Sequence, residues 1–360
     1  MTVRARAALL EEPGGPFTVR EVELDEPRAD EVLVRLTAAG ICHTDLSTRA
    51  WWPAERMPMV FGHEGAGVVE AVGSAVESVS PGDHVCLSYR SCGACGQCRG
   101  GNPAYCAHAA ENFAGCRADG STGLSRGGEP VFGRFFGQSS FATHALAHVS
   151  GTVPVPADLD PAVAAPLGCS VQTGAGTVRN VLRPEPGSAL VVFGAGSVGL
   201  SAVMTAAADG CQVVAVEPVP ARRSLAEDLG ARAVDPAEDV VAAVRDLTGG
   251  GAHCAVDTTG RSEVIGQALR SLRQRGAVAL AGVGATAEFD VMTVLTGGLR
   301  IRGVVEGDSV PAEFVPELVD LHRRGLLPVD KLITEFPFPA IEDATRAATT
   351  AQAIKPVLRF

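Results

Sequence analysis

The stretch that decides the fold is "GSALVVFGAGSVGLSAVMTAAA", from Gly187 to Ala208. It is uncharged and long enough for a bilayer span. Yet it holds four Gly, three Ser and one Thr, and its apolar pattern breaks in the middle. A buried strand over 189–193, a tight glycine turn and a helix over 197–208 describe it better than a membrane segment. The turn supplies Gly194, Gly196 and Gly199 in G-x-G-x-x-G spacing. The first glycine permits the tight turn and the second lets backbone approach a pyrophosphate. The third lets helix and strand meet closely. The first helical turn, Ser197 and Val198, then offers free N–H groups and a partial positive charge to phosphate.

Further along, Glu217 lies 23 residues after Gly194, at the end of a second strand. Its carboxylate suits the two hydroxyls of an adenosine ribose and repels a 2′-phosphate, so NAD is expected over NADP. Arg222 and Arg223 follow closely and pull the other way. Strands are expected at 189–193, 212–217, 231–234, 254–258, 277–282 and 301–305. Helices are expected at 197–208, 221–229 and 237–247. Alternating β and α elements with fully apolar strands predict a parallel, doubly wound sheet covered on both faces.

The first 165 or so residues read differently. They are rich in Gly and Pro, with short β-branched runs such as "DEVLVRL" at 30–36 and "GAGVVEAVG" at 65–73. The expected architecture is an α/β chain with two domains. A β-rich catalytic domain covers 1–168 and 308–360, and a dinucleotide-binding domain covers 169–307.

Bulk properties narrow the function classes. The chain has 360 residues, 46% hydrophobic and 20% charged, with a net charge of −11. That is globular, and it disfavours a nucleic-acid or anionic-membrane surface. The N-terminal stretch shows no apolar core before a cleavage site, so a soluble cytoplasmic protein is expected. In a reducing compartment disulfides are rare.

Four of the ten cysteines fall in "CGACGQCRGGNPAYC", as Cys92, Cys95, Cys98 and Cys106. Four thiolates with glycines between them form a closed tetrahedral set, which points to structural zinc. An iron–sulfur cluster and paired disulfides are the alternatives. A second set is dispersed: Cys42 in "GICHTDLS", His63 in "FGHEGAG" and Cys169 in "PLGCSVQTGAG". Two thiolates and an imidazole would bind zinc and leave a position open for substrate. The other cysteines and histidines are read as ordinary structural residues.

With these motifs in order, the chain resembles a zinc-dependent alcohol dehydrogenase of the medium-chain dehydrogenase/reductase superfamily. "GICHTD", "GHEGAGVVEAVG", the four-cysteine loop, "PLGCSVQTGAG", "FGAGSVG" and "IKPVLRF" carry the resemblance over nearly the whole length. "FFGQSSFATHALA" and "GCSVQTGAGTVRNVL" are most similar to the aryl (benzyl) and allylic alcohol branch. The resemblance implies a GroES-like β domain, a Rossmann domain, two zinc ions per subunit and NAD. It places the catalytic zinc on Cys42, His63 and Cys169. It implies that Glu64 can exchange onto the metal and that Asp45 orients His63. It makes Thr44 the group that takes the substrate proton, and His43 and Lys355 the cations on the pyrophosphate. Val283 is assigned to the cofactor as well.

Two departures stand out. Ser47 occupies the position where many relatives end the proton relay with a histidine. Ser88 stands where several relatives have an aromatic residue, which with Trp51, Trp52 and Phe135 suggests a roomier, aromatic-walled pocket. The implied reaction is reversible oxidation of a primary, aromatic or allylic alcohol to its aldehyde, in a homodimer or homotetramer. Alternatives on the same scaffold are a carbonyl or conjugated-bond reductase, or a formaldehyde dehydrogenase acting on a thiol adduct. A non-catalytic zinc- and nucleotide-binding protein is a third reading.

Overall fold

A computed structural model describes residues 2–284 and 286–360. The chain divides into two compact units. One runs to Cys169 and takes in Val310–Val319 and Asp330–Phe360; the other comprises Ser170–Ser309 and Asp320–Val329. The segment Asp320–Val329, expected with the β-rich part, therefore packs in the cofactor-side unit.

In the second unit six parallel strands form one sheet. Their spatial order is Ala231–Val234, Gln212–Val216, Ala189–Phe193, Ala252–Asp257, Leu272–Leu280 and Arg300–Gly303. The chain starts in the middle, runs to one edge, then crosses to the other side, the doubly wound arrangement. Val191, Phe193, Val214, Val256 and Val278 are buried, as strands covered on both faces require. The helices Ser197–Ala208, Pro220–Asp228 and Val240–Leu247 lie where the periodicity puts them. Pro220 opens its helix at a position that needs no N–H donor. The Asp239 carboxylate accepts from Ala242 N–H and caps the next one.

The first unit is built on two sheets. The larger has the strands Thr152–Pro154, His84–Leu87, Glu64–Val72, Glu31–Gly40, Lys355–Arg359 and Ile333–Pro337 in spatial order, with His144–His148 added beside Glu31–Gly40. The C-terminal strand Lys355–Arg359 pairs antiparallel with Ala38–Gly40, which brings the last residues of the chain to the strand that leads into Cys42. The core of this unit includes Leu9, Trp52, Phe61, Phe135, Phe141 and Phe338, all buried. Among the described residues no helix is long and apolar enough to cross a membrane.

Candidate metal centres and cofactor site

The four-cysteine loop closes on itself. The Sγ atoms of Cys95 and Cys98 are 3.5 Å apart, those of Cys92 and Cys98 3.9 Å, and those of Cys95 and Cys106 4.0 Å. Bonds of about 2.3 Å from one ion to four tetrahedral sulfurs require edges of about 3.8 Å. These separations fit a single zinc and are far beyond a bonded S–S distance of about 2.05 Å. Gly93 and Gly101 turn the chain at φ +67° and +80°, where other residues are strained. Backbone N–H groups of Cys95, Cys98, Ala107 and His108 point at the sulfurs from 3.3–3.5 Å. The N–H groups of Ala107 and Cys98 hold the Cys95 thiol down at about 6 against burial. Burial and the neighbouring sulfurs push Cys98 up to about 12, so a cation is needed before all four can be thiolates.

The dispersed set also converges. The donor atoms of Cys42, His63 and Cys169 all lie within 4.8 Å of one another. Cys42 precedes the helix His43–Trp51, and Asp45 turns back from that helix. One Asp45 oxygen accepts from Cys42 N–H at 3.1 Å. The other accepts from Gly62 N–H at 3.0 Å and faces His63 Nδ1 at 2.9 Å. With its proton on Nδ1, His63 aims a lone pair from Nε2, a buried atom without a hydrogen-bond partner. Cys169 sits in the π-helical turn Leu167–Val171, a geometry often found at functional sites. A Cβ on Gly168 would lie 2.0 Å from Leu87 O, so only glycine lets this turn approach the strand His84–Leu87.

The electrostatics fit a cation. Hydrogen bonding with Cys169 draws the Cys42 thiol well below its ordinary value against burial, and His63 adds to this. Burial pushes the His63 imidazole down, but the Asp45 carboxylate and the Cys42 thiolate hold it well above its ordinary value. Two sulfurs and an imidazole whose orphaned lone pair is aimed at them are a zinc donor set.

Glu64 and Lys355 lie behind this triad, both buried. A Cβ on Gly40 would sit 2.0 Å from Glu64 Oε2, which explains the glycine there. Lys355 Nζ donates to Ile41 O at 3.0 Å and to both Glu64 oxygens at 2.9 Å. Its three N–H donors are thereby spent, so the structure puts Lys355 at Glu64 rather than at a pyrophosphate. His43 is exposed at the start of its helix. The Thr44 hydroxyl lies 3.8 Å from Cys42 Sγ. Ser47 is exposed and its hydroxyl donates to the Thr44 carbonyl at 3.3 Å.

The glycine turn behaves as its spacing predicts. Gly194 has φ +92°, and a Cβ on Gly199 would lie 1.8 Å from Gly194 O. A Cβ on Gly196 would meet nothing within 4 Å, which leaves open space over Ser197 and Val198 at the helix start. Glu217 accepts from Ala195 N–H at 2.7 Å and Val219 N–H at 2.9 Å, so its carboxylate is locked against the turn. Arg223 is occupied by the Glu217 and Pro218 carbonyls and by Asp235. Arg222 keeps a buried Nε without a hydrogen-bond partner. Val283 is 82% exposed, beyond the strand Leu272–Leu280.

The four residues expected at the substrate pocket are divided between core and surface. Trp52 and Phe135 are buried in the core, and Trp52 Nε1 donates to Arg56 O. Trp51 is 62% exposed. Ser88 is buried, with its hydroxyl on Gly168 O at 2.6 Å. Phe135 meets the His63 ring edge-on, with centroids 5.6 Å apart, from within this core. The ring stacked on His63 is Phe136, with centroids 4.4 Å apart and planes at 22°. Phe113 meets Phe136 edge-on at 5.1 Å. Phe136 holds φ +54°, with its ring edge-on to Phe135 at 4.9 Å, and no sequence pattern announces that.

Comparison with known proteins agrees with this geometry. Residues 28–157 match the alcohol dehydrogenase GroES-like domain family, and residues 197–323 match the zinc-binding dehydrogenase family. Geraniol dehydrogenase of Castellaniella defragrans is 46% identical over 99% of this chain and 98% of its own. The crystal structure of benzyl alcohol dehydrogenase from Acinetobacter calcoaceticus is 40% identical, with TM-score 0.96 and 99% of each chain covered. An alcohol dehydrogenase zinc-binding domain protein from Burkholderia ambifaria is 45% identical, with TM-score 0.98 over 100% of both chains. Similarity end to end, two sulfur-rich donor clusters and a glycine turn between strand and helix leave one family: this chain belongs to the zinc-containing alcohol dehydrogenases of the medium-chain class.

Proposed function

We propose that the protein oxidises a primary aromatic or allylic alcohol reversibly to its aldehyde, with NAD as acceptor. The observation that carries the reading is the orphaned, buried Nε2 of His63 beside Cys42 and Cys169. The relatives named for geraniol and benzyl alcohol support the substrate class. So does Phe136, a flat apolar ring stacked on the ligand histidine.

Cys42, His63 and Cys169 would hold the catalytic zinc, and Cys92, Cys95, Cys98 and Cys106 the structural one. The chemistry zinc supplies at the first site is Lewis acidity toward an alcohol oxygen, and that of the nicotinamide is hydride acceptance. Asp45 fixes the tautomer and direction of His63. The Thr44 hydroxyl, beside Cys42, receives the alcohol proton. Its onward path runs to water or a cofactor hydroxyl, because Ser47 is turned to backbone. Glu64 is held off the donor triad by Lys355. His43 is left exposed at the start of its helix for the cofactor's phosphates.

NAD is favoured over NADP because Glu217 is buried and negative at the end of the second strand, while Arg223 is occupied by carbonyls and Asp235. We further infer a homodimer or homotetramer joined through the cofactor-side unit. There the edge strand Arg300–Gly303 is largely exposed, and Val291, Met292 and Leu295 are apolar and more than half exposed. Seven thiolate and imidazole ligands fit a reducing cytoplasm.

The test is purified protein with NAD+ or NADP+ and a panel of benzylic, allylic, aliphatic and secondary alcohols, followed by reduced-nicotinamide absorbance. Benzyl, cinnamyl or geraniol-type alcohols with NAD+ are expected to give the highest kcat/KM. Turnover confined to ketones, conjugated double bonds or thiol–formaldehyde adducts would replace this reading.

A further inference from the structure

Gln138 is buried in the first unit, and both of its amide hydrogens are engaged by backbone carbonyls beside the dispersed donor set. Nε2 donates to His63 O at 2.9 Å and to Ser88 O at 3.1 Å. Oε1 accepts from Gly65 N–H at 3.1 Å. Two carbonyls on one end and an N–H on the other fix which way the amide points. A Cβ on Gly65 would come within 3.1 Å of Oε1, so the second glycine of "GHEGAG" makes room for this amide. The contact continues one step. Ser88 Oγ donates to Gly168 O at 2.6 Å, one residue before Cys169.

The three donor side chains are thus held from two directions. Asp45 joins Cys42 to His63. Nothing on Asp45 reaches Cys169. The bridge from His63 to Cys169 is His63 O, Gln138, Ser88 and Gly168. Gln138 also belongs to the tight turn that presents Phe136 to the His63 ring, with Arg134, Phe136, Gly137 and Ser139 all at positive φ. A turn with four such residues holds its shape only if its surroundings over-determine it. Ser139 does part of this, accepting from Phe135 N–H and donating to Val60 O.

We propose that Gln138 is the positioning residue of the catalytic metal site: through Ser88 it sets the distance between the His63 and Cys169 donors, and through its turn it seats Phe136 on His63. The proposal rests on the reading that Cys42, His63 and Cys169 hold zinc. Met in place of Gln138 keeps the length of the side chain and removes all three hydrogen bonds. Ser88→Ala removes the hydroxyl link to Gly168 with little change in side-chain volume.

The experiment uses the zinc-loaded protein and a chromophoric chelator that reports each metal equivalent released. It also uses protein with cobalt(II) exchanged into the more labile site, whose visible bands report ligand geometry. Wild type is expected to hold two equivalents. Gln138→Met and Ser88→Ala are expected to release one of them roughly 10- to 100-fold faster, as changes behind metal ligands usually do. The other equivalent should stay with the four-cysteine loop, and the cobalt bands should shift. Combining the two substitutions should add little beyond Gln138→Met, since both cut one chain of contacts.

Cobalt bands and release rates like wild type in both variants would overturn the proposal. So would parallel loss of both equivalents together with the fold in Gln138→Met while Ser88→Ala behaves as wild type, since Gln138 would then be a stability residue only. A single equivalent in wild type would instead remove the catalytic-zinc reading beneath it, a distinguishable result.

Discussion

Lys355 Nζ lies 2.9 Å from both carboxylate oxygens of Glu64, and both residues are buried. The strand pairing that sets Val357 against Gly40 makes this contact between positions 291 residues apart. Burial raises the Glu64 carboxyl, and Lys355 opposes that rise. Removing one partner leaves the other charge buried and alone. Lys355→Met should therefore lose about 3–5 kcal/mol of unfolding free energy in denaturant titration. The pair Glu64→Gln with Lys355→Met should recover most of it. Equal losses in the single and double variants would show that the ion pair is not the cause.

Asp45 accepts from Cys42 N–H, Gly62 N–H and His63 Nδ1. Asp45→Ala should lower the affinity of the dispersed site for zinc by about 10- to 100-fold, with a similar fall in kcat/KM. Chelator competition and steady-state rates measure the two separately. Asp45→Asn should fall between, since it keeps one acceptor for His63 but turns an amide donor on a backbone N–H.

Phe135 and Phe136 are adjacent in sequence and opposite in role. Phe135 packs in the core with Trp52 and Phe61, at centroid distances of 6.2 and 4.9 Å. Phe135→Ala should cost about 3–5 kcal/mol of stability. Phe136→Ala should unfold near the wild-type midpoint. It should instead lower kcat/KM for benzylic alcohols about tenfold while changing short aliphatic alcohols less, the loss expected for a ring contact of about 0.5–1.5 kcal/mol.

His148 gives a pH dependence. Burial, Arg90 and Arg134 hold its imidazole down at about 4, against Asp30 and Glu31. Its Nδ1 accepts from Ser150 N–H, a bond available to the neutral ring. The unfolded chain takes up a proton near the ordinary value of about 6.5, and the folded chain resists until about 4. Stability contributed by neutral His148 is thus present above pH 6.5 and is lost as pH falls from 6.5 to 4, by up to about 3 kcal/mol. His148→Gln should flatten the stability profile in that window, measured as denaturation midpoints from pH 4 to 7.

The four-cysteine loop should depend on its ion. Cys95→Ala removes a sulfur that the Cys98 and Ala107 backbone N–H groups approach, and should release one zinc equivalent per chain. The expected consequence is faster protease cleavage within 92–106 and a lower thermal midpoint. Unchanged zinc content and midpoint would argue against a metal there.

Two features were legible in the sequence because they are local. The turn Gly194–Gly199 joins one strand to the next helix, so spacing alone specifies the φ and close approach it needs. The four-cysteine loop spans fifteen positions, and short glycine-rich links leave its sulfurs few places to go. The dispersed triad was legible only through motifs, since Cys42, His63 and Cys169 meet by chain folding. Tertiary structure alone decided the rest. Lys355 faces Glu64 because a C-terminal strand enters the sheet. Phe136 stacks on His63 while Phe135 meets it edge-on because the turn 134–139 holds four of its six residues at positive φ. Ser88 and Gln138 act through carbonyls of distant segments, and a backbone carbonyl has no letter in the sequence. Local conformational limits are encoded residue by residue; partners brought together by long-range packing are not.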